Sequence, residues 1–70
     1  MDIKAVVGRN VKQYREAKGL SQEQLAFEAD LHRTYVSGVE RGVRNPTVLI
    51  VAKLAVALGV EPSKLLELKA

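Results

Sequence analysis

Apolar residues recur at three- and four-residue steps along most of this chain, and no segment alternates with period two over a useful length. The pattern predicts helices and no sheet. Ile3, Val6, Val7, Val11 and Tyr14 make the first stripe and predict a helix from about Asp2 to Lys18, with Lys4, Arg9, Lys12 and Lys18 largely off it. Asp2 is the expected cap, because an acid suits the positive start of a helix, and Gly19 is the expected end. Ser21-Gln22-Glu23-Gln24 reads as a capping box: the serine hydroxyl accepts from the third amide, and Gln24 reaches back to the Ser21 amide. The second helix, which follows, turns Leu25, Ala26 and Ala29 inward. Asp30 falls where the chain must turn, and Asp tolerates left-handed backbone better than most residues.

A third helix is expected from about Arg33 to Arg41. Leu31, Val36 and Val39 face its core side, which leaves Arg33, Thr34, Ser37 and Gly38 on the other. Gly42 ends it, and Val43-Arg44-Asn45-Pro46 reads as a loop whose proline blocks any continuation. The fourth helix runs from about Pro46 or Thr47 to Leu58, capped by Asn45 or Thr47 and closed by Gly59. Val48, Val51, Ala52, Ala55 and Leu58 are its expected inner face. Leu49, Ile50 and Val56 lie outside that face yet are apolar, and a helix apolar nearly all round needs burial on more than one side. A fifth helix starts near Pro62, a favoured first-turn residue, and carries Leu65, Leu66 and Leu68. Gly8 and Gly38 each cost their helix about 1 kcal/mol against alanine; Gly8 is the candidate for a close helix contact.

Length and composition narrow this picture. Seventy residues make one small domain, and a chain of that size buries only roughly 60% of its unfolded surface. With no cysteine, neither a disulfide nor a thiolate metal site can support it, so a compact helical bundle is expected, completed by a second subunit. Eleven Lys plus Arg against eight Asp plus Glu permit nucleic-acid binding without demanding it. No apolar run approaches the ~20 residues of a membrane span, and the start lacks the apolar core of a signal peptide. A soluble, cytoplasmic protein with no cofactor and no membrane partner is expected. One histidine, no cysteine and no spaced carboxylate pair argue against an enzyme. His32 reads as a helix cap or a phosphate contact, and metal binding is not expected of it.

Several segments carry a family pattern. These are Arg15 in the first helix, Gly19-Leu20-Ser21-Gln22, Leu25-Ala26, Ser37-Gly38-Val39-Glu40-Arg41-Gly42, Arg44-Asn45-Pro46, and Ala55 through Val60. In order and spacing, residues 7 to 66 resemble the Cro and phage-repressor type of helix-turn-helix protein, also called the XRE family. The run Leu31 to Arg41 looks most like the controller proteins of restriction-modification systems, which are small homodimeric regulators. Asp30 departs from the pattern, which usually has glycine there.

The resemblance implies an all-α, five-helix bundle of the lambda-repressor-like kind, one domain over residues 1–70. The helix-turn-helix covers about 21–41, and helices over about 46–68 include the dimer surface. It implies that the third helix enters the major groove of double-stranded DNA. Arg33 would donate twice to guanine, Thr34 would bond a base or meet a thymine methyl, Ser37 would bond a base edge or a phosphate, and Gly38 would give the helix clearance against the DNA. Gln22, at a helix start that favours an anion, would hold a phosphate. Arg41, Arg44 and Asn45 would hold the other side of the groove, although the last two also read as ordinary loop chemistry. Tyr35 reads equally as a backbone contact or as packing at the helix edge. Arg15 and Glu40 would form a partly buried ion pair that fixes the helix angle. Leu49, Ile50, Val56, Leu65, Leu66 and Leu68 are the candidates for the dimer surface; some of them also read as packing of the fifth helix on the fourth, with Leu65 expected inward and Leu49 and Val56 at the interface. RNA polymerase is a further candidate partner. The competing class is an antitoxin-like module that uses the same fold to capture a protein.

Overall fold

A computed structural model describes residues 1–68, so residues 69 and 70 of the expected domain lie outside the described residues. The chain forms five helices: α1 (Ile3–Ala17), α2 (Gln22–Ala29), α3 (Arg33–Glu40), α4 (Val48–Leu58) and α5 (Pro62–Leu65). No strand occurs among the described residues. The helix starts follow the capping chemistry of the sequence. The Asp2 carboxylate accepts from the amides of Lys4 and Ala5. Ser21 Oγ accepts from the Gln24 amide at 3.0 Å while Gln24 Oε1 accepts from the Ser21 amide at 2.7 Å. For α4 the cap is Thr47, whose hydroxyl accepts from the Ile50 amide at 3.2 Å.

Between α2 and α3, Asp30 takes the left-handed conformation (φ 58°, ψ 50°). It is the sole non-glycine residue with positive φ among the described residues. The turn is sealed by the Leu31 amide, which donates to the Ala26 carbonyl at 2.8 Å. Three residues therefore carry the chain from one helix to the next, with the Asp30 and Leu31 amides donating back to α2 and the His32 carbonyl accepting from the Tyr35 and Val36 amides of α3.

The core is assembled from every helix. Val11, Leu25, Val36, Leu54, Ala55 and Leu65 are wholly buried, and each large one contributes roughly 1.5–3 kcal/mol of burial. Helix α1 packs on α3 and α5, α2 on α3 and α4, and α4 on α5. At the α1–α3 crossing a Cβ on Gly8 would run into the Val39 carbonyl oxygen and come within 2.7 Å of that of Glu40. The two backbones touch there, which only glycine permits.

Several expectations about burial and helix extent are corrected. Ile3 and Val48, expected on inner faces, sit in the first turn of their helices at the mouth of a surface groove lined also by Val7 and Val51; Ile3 is half-exposed and Val48 is 87% exposed. Leu54, not assigned to the core, is wholly inside it. Leu65, a dimer-surface candidate also expected to turn inward, is fully buried and has no face left for a partner. Finally, α5 is a single turn that stops at Leu65, so Leu66 and Leu68 follow the helix and are exposed.

The buried end of α5 is held by a residue the apolar pattern concealed. Asn10 lies on the stripe of α1 beside Val6, Val7 and Val11 and is 1% exposed. Its amide nitrogen donates to the carbonyl of Leu65 (3.0 Å), the last residue of α5, whose helix-end carbonyl has no helical partner, and to that of Glu67 (2.9 Å) in the chain that follows.

Candidate nucleic-acid interface

Helix α3 is short, amphipathic and seated by its valines. Val36 and Val39 fix it against the core, so its opposite face is set outward without freedom to roll. Arg33 and Thr34 are exposed in its first turn, and Ser37 is half-exposed one turn later. Together with Gln22 from the start of α2 and Arg41 from the end of α3, they line one shallow groove. Five side chains separated by up to 19 positions are thus gathered on one surface, and it carries two guanidinium groups.

Beneath this groove lies a charged cluster. Arg15 Nε donates to Glu40 Oε2 at 2.6 Å, and a terminal nitrogen of the same guanidinium donates to Glu40 Oε1 at 3.0 Å. The other terminal nitrogen donates to the Leu20 carbonyl at 2.8 Å. Gln22 Nε2 adds a third donor to the carboxylate at 3.0 Å. The side chains of Arg15 and Glu40 are 11% and 3% exposed, so the geometry is bidentate and nearly dry. The hydrogen bond to Glu40 and the nearby charges of Glu40 and Glu16 raise the Arg15 pKa above its ordinary value, against an opposing effect of burial. Arg15 therefore keeps its charge throughout the working pH range, and its contribution would be lost only as the pH rises through the raised pKa. Glu40 would otherwise be an acid at the negative end of α3; Arg15 offsets that and joins α1, the α1–α2 link and α3. An amide nitrogen has two hydrogens, so Gln22 keeps one for a ligand after bonding Glu40.

The remaining candidates are distributed around the groove. His32 occupies the cap position of α3 without a side-chain cap bond and is exposed. Ser37 Oγ accepts from Arg41 Nε at 3.3 Å, which leaves its own O–H free to donate. Tyr35 is half-buried, with the Arg44 guanidinium 5.9 Å from its ring centroid. Asn45 is exposed but lines a different, apolar groove with Ile3, Val48, Pro46 and Leu66. Gly38, expected on the outward face, is buried instead, and the Arg44 side chain lies over it. Its clearance accommodates a residue of the same chain. No group of His, Cys, Asp and Glu among the described residues is arranged to hold a metal. No helix among them is long and apolar enough to cross a membrane.

A short helix capped at Ser21, a tight left-handed turn at Asp30 and a second helix presenting Arg33 and Thr34 define a helix-turn-helix. Residues 11–65 match the helix-turn-helix family model, and the chain belongs to that family of DNA-binding transcription regulators, which are not enzymes. It is 49% identical over 67 residues to the control protein C.BamHI of Bacillus amyloliquefaciens, covering 94% of this chain and 83% of that protein. It is 50% identical over 66 residues to the control protein C.SmaI of Serratia marcescens, covering 94% of this chain and 79% of that protein. Among solved structures, the restriction-modification controller protein C.AhdI of Aeromonas hydrophila superposes with a TM-score of 0.86 at 50% identity, covering 89% of this chain and 94% of that one.

Proposed function

We propose that this protein regulates transcription as a cytoplasmic homodimer bound to a two-fold related operator, in the manner of the restriction-modification controllers it is similar to. The observation that carries the reading is the groove in which Gln22, Arg33, Thr34, Ser37 and Arg41 meet over the Arg15–Glu40 cluster. Arg33 reads guanine through its two-pronged donor, and Thr34 and Ser37 read the neighbouring base edges. Gln22, His32, Tyr35, Arg41, Arg44 and Asn45 hold the backbone and set the register.

The molecule measures 29 × 21 × 19 Å, so one copy covers less than a full DNA turn of ~34 Å. A second copy supplies the other half-site. Its contact surface is drawn from the apolar residues that the fold leaves outside: Leu49 (66% exposed), Val56 (81%), Leu66 and Leu68, with half-buried Ile50 at the margin. RNA polymerase is the partner through which a bound regulator acts on transcription.

Selection of bound sites from random duplex DNA, run in parallel with Arg33→Ala, tests the reading. The native protein should enrich a palindromic site with a guanine in each half, and the variant should lose preference at that position. Enrichment of the same motif with equal strength by both proteins would remove Arg33 from base recognition.

A further inference from the structure

We propose that Gly38 and Tyr35 are positioning residues for Arg44, holding its guanidinium beside the reading helix before DNA arrives. The inference rests on the reading above that Arg44 meets the DNA backbone, and it explains a glycine that weakens the very helix it sits in.

Three observations converge on it. First, the Gly38 carbonyl accepts from two loop amides, Val43 at 3.0 Å and Arg44 at 3.2 Å. The loop after α3 is thereby folded back along the helix rather than released into solvent. Second, a Cβ placed on Gly38 would lie 2.6 Å from Arg44 Cγ, with Nε and Cδ at 3.4 and 3.5 Å. The arginine stem lies in the space the glycine leaves. Because the closest atom is Cγ, near the backbone, a methyl there would swing the whole side chain away. Third, the guanidinium carbon is 5.9 Å from the centre of the Tyr35 ring, within the range in which a cation is attracted to an aromatic face. Tyr35 and Gly38 are three residues apart and so share a face of α3. One supplies a floor for the charge and the other a channel for the stem.

An exposed arginine on a free loop would sample many rotamers and lose them on binding. Here the loop backbone, the stem and the head each have a fixed neighbour. Gly38 thus acts on DNA through Arg44 and does not touch it.

A double-mutant cycle tests this, with affinity measured by fluorescence anisotropy on a duplex carrying the site that the native protein selects. Arg44→Ala should weaken binding by roughly tenfold and reduce the salt slope by about one. Gly38→Ala should weaken binding comparably in the native background and by less than about twofold in the Arg44→Ala background, where no stem remains to displace. An equal loss in both backgrounds would overturn the inference and return Gly38 to clearance against DNA. Thermal unfolding of the same four proteins covers a fold effect: a destabilised Gly38→Ala should be relieved by Arg44→Ala, and a destabilisation of the same size in both backgrounds would count against the inference.

A readout without DNA separates this proposal from the reading it rests on. In the free protein, Arg44 Nε relaxation should show restricted motion, and its side-chain protons should carry a ring-current shift. Both should persist in Tyr35→Phe and disappear in Tyr35→Leu. Spectra indifferent to Tyr35→Leu would refute the positioning, whereas an ordered Arg44 whose removal leaves DNA affinity and salt slope unchanged would refute only its contact with DNA.

Discussion

The α2–α3 pair and the α4–α5 pair are built on opposite principles. In the first, polar chemistry is spent inward: Glu40 accepts three hydrogen bonds, from Arg15 twice and from Gln22 once, and the exposed residues are left to meet a ligand. In the second, apolar residues fill the core and then continue outward, so that Leu49, Val56, Leu66 and Leu68 face solvent. A surface that must recognise a charged polymer gains from rigid donors whose angles are already set. A surface proposed to meet its own copy would gain from area, and area needs little orientation. The same small core serves both, because α1 touches α3 on one side and α5 on another.

The sharpest way to break the first principle is to remove the carboxylate. Glu40→Ala should destabilise the fold by about 3 kcal/mol, since it strands the nearly buried Arg15 charge. It should also weaken DNA binding by freeing Gln22. Urea unfolding monitored by circular dichroism decides it, and an unchanged midpoint would mean that the cluster is ornamental. The next effect falls where the second pair is anchored. Asn10→Ala leaves the Leu65 and Glu67 carbonyls unpaired and should cost about 1–3 kcal/mol. Hydrogen exchange should show the loss first near α5, and uniform exchange across all helices would contradict that.

A gentler change sharpens the comparison at the turn. Asp30→Gly relieves a side chain in left-handed backbone and should stabilise by about 0.5–1 kcal/mol at most, because the freed chain also gains entropy when unfolded. A lower melting temperature would show that Asp30 is held by something beyond its backbone. The smallest stability effect is expected on the apolar face. Leu49→Lys with Val56→Lys should move unfolding of the dilute chain by no more than about 0.5 kcal/mol, yet it should abolish association in sedimentation. If the doubly charged variant sediments like the native protein, the dimer surface lies elsewhere.

These contrasts also explain what was legible beforehand. Caps and turns rest on single residues whose chemistry is local, so Asp2, Ser21 with Gln24, and Asp30 announced their positions. The facing of α4 was not legible, because a helix apolar nearly all round has no polar side to orient it. For that reason the pattern turns Val48 inward and passes over Leu54, and only packing against α2 and α5 decides between them. Arg33, Thr34 and Ser37 could be placed on one face from helical spacing. That Gln22 would join both their groove and the Glu40 carboxylate required the fold, since 18 residues separate the partners. Asn10 carries a usable signal: one amide set among valines on an otherwise apolar stripe.

The double grip of α1 has a metrical consequence. Through Gly8 and Arg15 it clasps the reading helix, and through Asn10 it clasps the chain end near the apolar face. In the proposed dimer the offset between those two grips would contribute to the distance between the two copies of α3, and so to the spacing of the half-sites. Operator spacing would then depend in part on a helix that supplies none of the proposed base-reading side chains. A variant chosen to accept a longer or shorter operator should be sought along α1 before it is sought in α3.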